Sequence, residues 1–173
     1  MDAAYLEFLT KEEKEKERSG LRDLRVLQFQ RATTVDVGQG RIALLVYVPP
    51  TQLAKYRALQ KPLTEALEKK FVSEYSNVLI LANRTMVSSE HWARSKKHSG
   101  LRPRNRSLKV VQEAILDDLV YPSEISGKRI KVKVGGEKVL TIQLGGKESM
   151  IEKKEVIEAV YKHLTTKAVN LDL

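Results

Sequence analysis

The sequence predicts an α+β fold with mixed β-sheets: two hairpin–helix–strand units joined by a basic loop and a central helix. Three observations carry this. The order hairpin–helix–strand occurs at roughly 33–82 and again at 129–173. A helix with one apolar face spans 107–120, between them. The segment 84–109 is rich in Arg and Lys and is broken by Gly100 and Pro103. The expected organisation is an N-terminal helical segment, 1–32, and one α+β domain, 33–173, carrying the basic loop 84–109.

The N-terminal segment reads as a solvated helix. Thr10 and Glu13 have capping-box spacing. Glu7/Lys11 and Glu12/Lys16 are Glu-before-Lys pairs one turn apart. In the first hairpin, TTVDV (33–37) alternates, GQG (38–40) turns, and RIALLVYV (41–48) is almost continuously apolar. A run of that kind predicts a strand buried on both faces. Pro49-Pro50 ends it. Over 51–71, Leu59, Leu63, Ala66, Leu67 and Phe71 share one helical face, and Pro62 is expected to kink or divide that helix. NVLILA supplies a short buried strand.

The clearest helix is SLKVVQEAILDDLV (107–120). Leu108, Val111, Ile115 and Leu119 stack on one face, while Gln112, Glu113, Asp117 and Asp118 point elsewhere. Ser107 is placed to cap the start and Pro122 to stop the end. The second hairpin follows as RIKVKV (129–134), a GGE turn (135–137) and KVLTIQL (138–144). Ile130, Val132 and Val134 face one way and Arg129, Lys131 and Lys133 the other. Ser149 with Glu152 makes a second capping box, opening a helix with Ile151, Val156, Ile157, Val160, Tyr161 and Leu164 on its apolar positions. AVNLDL (168–173) reads as a last strand. The hairpin tips rhyme, VDVGQGRI (35–42) against VKVGGEKV (132–139), which raises the question of a structural duplication. Turn chemistry alone repeats such patterns, so equal strand order in the two units is the test.

A chain of 173 residues with 42% hydrophobic content has material for a real core. The absence of cysteine excludes disulfides and cysteine–zinc sites. No apolar run approaches the ~20 residues of a membrane span. The start, MDAAYLEFLTKEEKEKER, has no basic-then-apolar signal. These features read as a soluble intracellular protein without a membrane partner. The net charge is +9, and it is localised. From Arg84 to Lys109, eight Lys or Arg face a single acid, Glu90. The remainder of the chain carries 23 basic and 21 acidic groups. A footprint of this kind points to a polyanion.

Catalytic candidates are few. Glu113 and Asp117 lie one turn apart with Asp118 beside them, the raw material for a metal-dependent nuclease. Such a site needs oxygens converging from several elements, and a solvated acidic helix face is the better reading. His91, His98 and His163 have no ligand cluster around them for zinc. In LGGKES (144–149), Thr141 and Glu148 stand where a phosphate loop needs Gly and Ser or Thr. No catalytic residue, cofactor, metal or small-molecule substrate is expected.

The basic segment is different. Arg84, Arg94, Lys96, Lys97, Arg102, Arg104, Arg106 and Lys109 are interleaved with Ser, Asn, His and Gly, the composition of a loop that tracks phosphates. Arg104 and Arg106 alternate after Pro103 and are expected to reach from one side of an extended chain. Trp92, the only tryptophan, has two readings: it stacks on an unpaired base, or it anchors the loop to its own core. Lys128, Arg129, Lys131 and Lys133, read as one face of a strand, form a second patch that is either RNA-binding or a solvated sheet face.

Certain strings go further than composition. RPRNRSLKVVQEAILDDLVYPSEISGKRIKVKV (102–134) resembles the central signature of the eukaryotic small-subunit ribosomal protein seven family. VLQFQRATTVDVGQGRIALLVYVPPTQL (26–53), EALEKKF (65–71) and the C-terminal YKHLTTKAVNLDL resemble its other blocks. The N-terminus is shorter and the 84–100 stretch less basic than the family pattern, and Pro62 interrupts a helix expected to be continuous. The resemblance implies a non-catalytic constituent of the cytoplasmic ribosome that joins during nucleolar assembly. Its implied partners are small-subunit ribosomal RNA and neighbouring small-subunit ribosomal proteins. Arg102, Arg104 and Arg106 are the matched RNA-facing positions, with Arg94, Lys96 and Lys97 less closely matched. The alternative is an RNA-binding assembly or translation factor that visits ribosomes without residing in them.

Overall fold

Alternation in the first hairpin and the apolar run that follows it do produce paired strands. The computed structural model describes residues 27–38, 40–71, 75–94, 100–145 and 153–172. Among them the elements are β1 (Arg31–Gly38), β2 (Arg41–Val48), α1 (Leu53–Lys70), β3 (Asn77–Ala82), α2 (Ser89–Arg94), α3 (Leu108–Val120), β4 (Glu124–Val132), β5 (Lys138–Gly145), α4 (Lys154–Thr165) and β6 (Ala168–Asp172). The capping boxes at Thr10/Glu13 and Ser149/Glu152 lie outside the described residues, as do Lys96, Lys97 and His98. The protein is α+β, and the chain divides into two compact units, one ending at Asn83 and one beginning at Arg84.

In the first unit the strand order is β1-β2-β3, with β1 antiparallel and β3 parallel to β2. Gly38 and Gly40 turn the hairpin at φ of 94° and 72°, a backbone region that side chains disfavour. Every residue of β2 from Ala43 to Val48 is buried, as the apolar run predicts. Leu44, Val46 and Val48 with Val78 and Ile80 of β3 form one side of a core with Tyr56, Leu63 and Leu67 of α1. Leu59, Ala66 and Phe71 pack at its margin.

Tyr56, one turn before the predicted apolar stripe, is fully buried, and its hydroxyl donates to the Gln28 carbonyl at 3.1 Å. Pro62 does not divide α1, which runs on for 18 residues. It sits on the exposed side, where its ring disturbs the backbone but not the packing. Two residues on, the Thr64 hydroxyl donates to the Gln60 carbonyl at 2.9 Å.

The second unit repeats the plan. Its order is β4-β5-β6, with β4 antiparallel and β6 parallel to β5. α4 follows β5 as α1 follows β2, so strand order and strand sense agree between the units. The hairpin tips differ: Gly38 pairs with Arg41, whereas Val132 pairs with Lys138 across a longer turn. Ile142, Leu144, Val169 and Leu171 of this sheet are buried, as are Val156, Ile157, Val160 and Tyr161 of α4. α4 also packs against α3.

α3 departs from its predicted face. Val111, Leu116, Leu119 and Val120 are buried, Leu108 is exposed, and Asp118 is buried rather than pointing to solvent. Ser107 occupies the cap position, but its hydroxyl donates backwards to the Arg104 carbonyl at 2.8 Å instead of accepting from the helix. The helix ends at Tyr121-Pro122, a cis peptide bond.

Candidate nucleic-acid interface

The basic segment begins at Arg84, directly after the first unit. Its guanidinium makes a two-pronged ion pair with Asp118, Nη1 to Oδ2 and Nη2 to Oδ1. The Asp118 side chain is 1% exposed and that of Arg84 21%. A carboxylate this deep is tolerated because the planar fork saturates both oxygens. Arg84, expected among the phosphate ligands, is therefore engaged inside the protein. The same pair removes Asp118 from any acidic metal cluster. Among the described residues no group of three His, Asp or Glu is placed to hold a metal ion. Asp117 is exposed, with Lys128 Nζ at 3.6 Å.

Beyond Arg84 the segment is cross-tied. The Val87 amide donates to the Arg106 carbonyl at 3.1 Å, and Arg102 Nη1 donates to the Val87 carbonyl at 2.9 Å. Ser88 caps α2 by accepting from the His91 amide at 3.1 Å. Trp92 Nε1 donates to the Gly100 carbonyl at 3.0 Å. That bond spans the stretch between α2 and Gly100 and ties the segment to itself at the surface. After Pro103 the chain is not extended: Arg104–Arg106 form a 3-10 turn. With three residues per turn, Arg104 and Arg106 do not leave from the same side. Both are exposed, and so is Arg94, whose guanidinium lies 3.6 Å from Glu90 in a solvated pair.

The second predicted patch does not hold together as one face. Strand alternation puts Arg129 and Lys131 on one side of β4 and Lys128 with Ile130 on the other. Lys133 lies past the strand end and donates to Glu137 Oε2 at 2.8 Å. That bond and the lysine charge hold the Glu137 carboxyl below its usual range. Lys109, at the start of α3, lines a groove with Lys128 rather than the Arg104–Arg106 turn.

A family model described as "Ribosomal protein S7e" matches residues 8–173. The chain belongs to the eukaryotic small-subunit ribosomal protein S7e family. Among its S7e relatives, "Small ribosomal subunit protein eS7" of Candida albicans is 40% identical over 153 residues, covering 87% of this chain and 80% of that protein. "Small ribosomal subunit protein eS7A" of Saccharomyces cerevisiae is 38% identical, covering 87% and 78%. "Small ribosomal subunit protein eS7z" of Arabidopsis thaliana is 40% identical over 149 residues, covering 85% and 75%. The S7e match takes in most of the first unit and all of the second, including the basic segment with which the second begins.

Proposed function

We propose that this protein is a structural constituent of the cytoplasmic small ribosomal subunit, holds ribosomal RNA through its basic segment, and joins the particle during nucleolar assembly and RNA processing. Membership in the S7e family is the observation that carries the reading. The basic segment supplies its physical content. Arg94, Arg104 and Arg106 are exposed on a short helix and a 3-10 turn, and the Val87 amide, just before that helix, bonds to the Arg106 carbonyl of the turn. Lys96 and Lys97 belong to the same stretch by sequence. Ties of this kind lower the ordering cost of gripping phosphates. Arg129 and Lys131 make a minor second contact from one face of β4. Arg84 and Arg102 act through the fold, by holding the segment in place. Trp92 anchors, and Lys109, Lys128 and Lys133 lie outside the phosphate-binding set.

Chemistry is not part of this role. The nuclease reading required Glu113, Asp117 and Asp118 to converge, and Asp118 instead faces Arg84. The test is sedimentation of cell lysate on sucrose gradients at low and high salt. A resident constituent stays in the small-subunit peak through the high-salt wash. A protein found at the top of the gradient, or stripped at modest salt, is a visiting RNA-binding factor instead.

A further inference from the structure

The helix-covered face of the second sheet is only partly covered. Cross-strand pairs place Lys128 opposite Ile142, Ile130 opposite Leu140, and Val132 opposite Lys138, all on one face. At one end of this face Ile142 is fully buried, with Lys128 across from it exposed. Two pairs along, Ile130 is 66% exposed and Val132 62%. The apolar floor of the unit thus runs out into solvent. There it bottoms a groove of about 760 Å³ between the sheet, α3 and α4, floored by Ile130, Leu140 and Ala168. Lys109, Lys128, Lys138, Lys162 and Lys167 rim it, against Glu113 and Glu137. Glu137 is already paired with Lys133. Lys167 donates to the uncharged Gln112 at 2.6 Å. Among the described residues, Lys109 and Lys138 have no carboxylate within ion-pair distance.

We propose that this groove receives an acidic amphipathic segment of a partner protein, its apolar stripe on Ile130 and Leu140 and its carboxylates on the lysine rim. Exposed aliphatic floor with a polar rim is the composition of a protein-docking surface. Charge complementarity selects an acidic occupant. RNA phosphates satisfy the lysines but leave the floor wet, and the ring in the lining, Tyr161, is itself buried and offers no stacking face. A second copy of this chain brings its own +9 to a basic groove, which repels it. The inference does not rest on the ribosomal reading, since it uses only the groove.

The test places p-benzoylphenylalanine at Ile130 in the full chain, expressed in cells of the species that encodes it. After irradiation, crosslinked products are mapped by mass spectrometry. The expected product is a peptide of another protein with net negative charge and an apolar stripe. Its yield falls at least fivefold in a Lys138→Glu/Lys162→Glu background whose circular dichroism is unchanged. Crosslinks to RNA, to a second copy, or to a peptide without acidic excess overturn the proposal. So does the absence of any crosslink, or a yield indifferent to the charge reversals. None of these outcomes bears on whether the protein sediments with the small subunit.

Discussion

Arg84 and Asp118 are joined by two hydrogen bonds across 34 residues, fixing the start of the basic segment to the buried side of α3. Breaking one partner strands a buried charge. Asp118→Ala and Arg84→Ala are each expected to lose about 3–5 kcal/mol in urea unfolding. The double change Arg84→Met/Asp118→Leu, which removes both charges and keeps volume, is expected to recover most of that loss. A double-variant loss equal to the sum of the two single losses would show that the pair is not coupled.

Exposed and engaged arginines are expected to separate in RNA binding. Arg94→Ala, Arg104→Ala and Arg106→Ala each remove one cation available to phosphates. Each is expected to shallow the slope of log affinity against log salt by about 0.7–0.9. Arg84→Lys, tested below its unfolding range, leaves that slope unchanged. A filter-binding titration across salt, with a single-stranded RNA, reads both results.

Trp92 is expected to act on the loop rather than on a base. Trp92→Phe keeps a flat ring and loses the bond to Gly100, worth about 1 kcal/mol of local stability. Hydrogen exchange at the Val87 and Arg106 amides should quicken, while RNA affinity changes less than about threefold for either Trp92→Phe or Trp92→Leu. A loss of about 1–3 kcal/mol of RNA binding on Trp92→Leu alone would restore the stacking role.

Tyr56 gives the first unit an alkaline limit. Burial pushes its hydroxyl from 10 up to about 12. The unfolded chain releases this proton near pH 10 and the folded chain only near 12, so the unfolded state gains between those values. Stability is full below pH 10 and is lost as pH rises towards 12, on the order of 1–3 kcal/mol in total. Burial raises Tyr161 as well, so absorbance at 295 nm should show late-titrating tyrosine signal, of which the part due to Tyr56 is missing in Tyr56→Phe. Denaturation of that variant should depend less on pH in the same window.

Pro62 lies on the exposed side of a continuous helix, where it removes a backbone donor and crowds the Ala58 carbonyl. Pro62→Ala is expected to stabilise the protein by about 1 kcal/mol or more, seen as a higher urea midpoint with an unchanged slope. A loss of stability would mean that α1 is curved around this proline and needs it.

Much of the fold was legible because local periodicity is an interaction of each residue with its own face. The apolar run of RIALLVYV is buried from Ala43 onward, and the 107–120 helix and the strand KVLTIQL fall where their patterns put them, whereas β4 starts at Glu124, five residues before RIKVKV, and ends at Val132. Asp118 was misplaced, although a signal existed: it stands seven residues after Val111, on the apolar stripe itself. Polarity alone puts Asp118 in solvent, and only a partner 34 residues away explains its burial. Lys128, Arg129 and Lys131 read along the chain as one run of charge, but strand alternation separates Lys128 from the other two.

What the sequence by itself determined is the family, the α+β order of elements, the repeated hairpin–helix–strand plan and the concentration of charge between Arg84 and Lys109. These follow from spacing along the chain and from strings specific to the family. What only the tertiary structure decided is which cations remain available. Arg84 is engaged by Asp118 and Arg102 by the Val87 carbonyl, while Arg94, Arg104 and Arg106 stay exposed. Ile130 stays exposed in the groove beside the two helices, which leaves an apolar floor among lysines. The reason is physical: charge is counted along the chain, but desolvation and pairing depend on groups that folding brings together from distant positions.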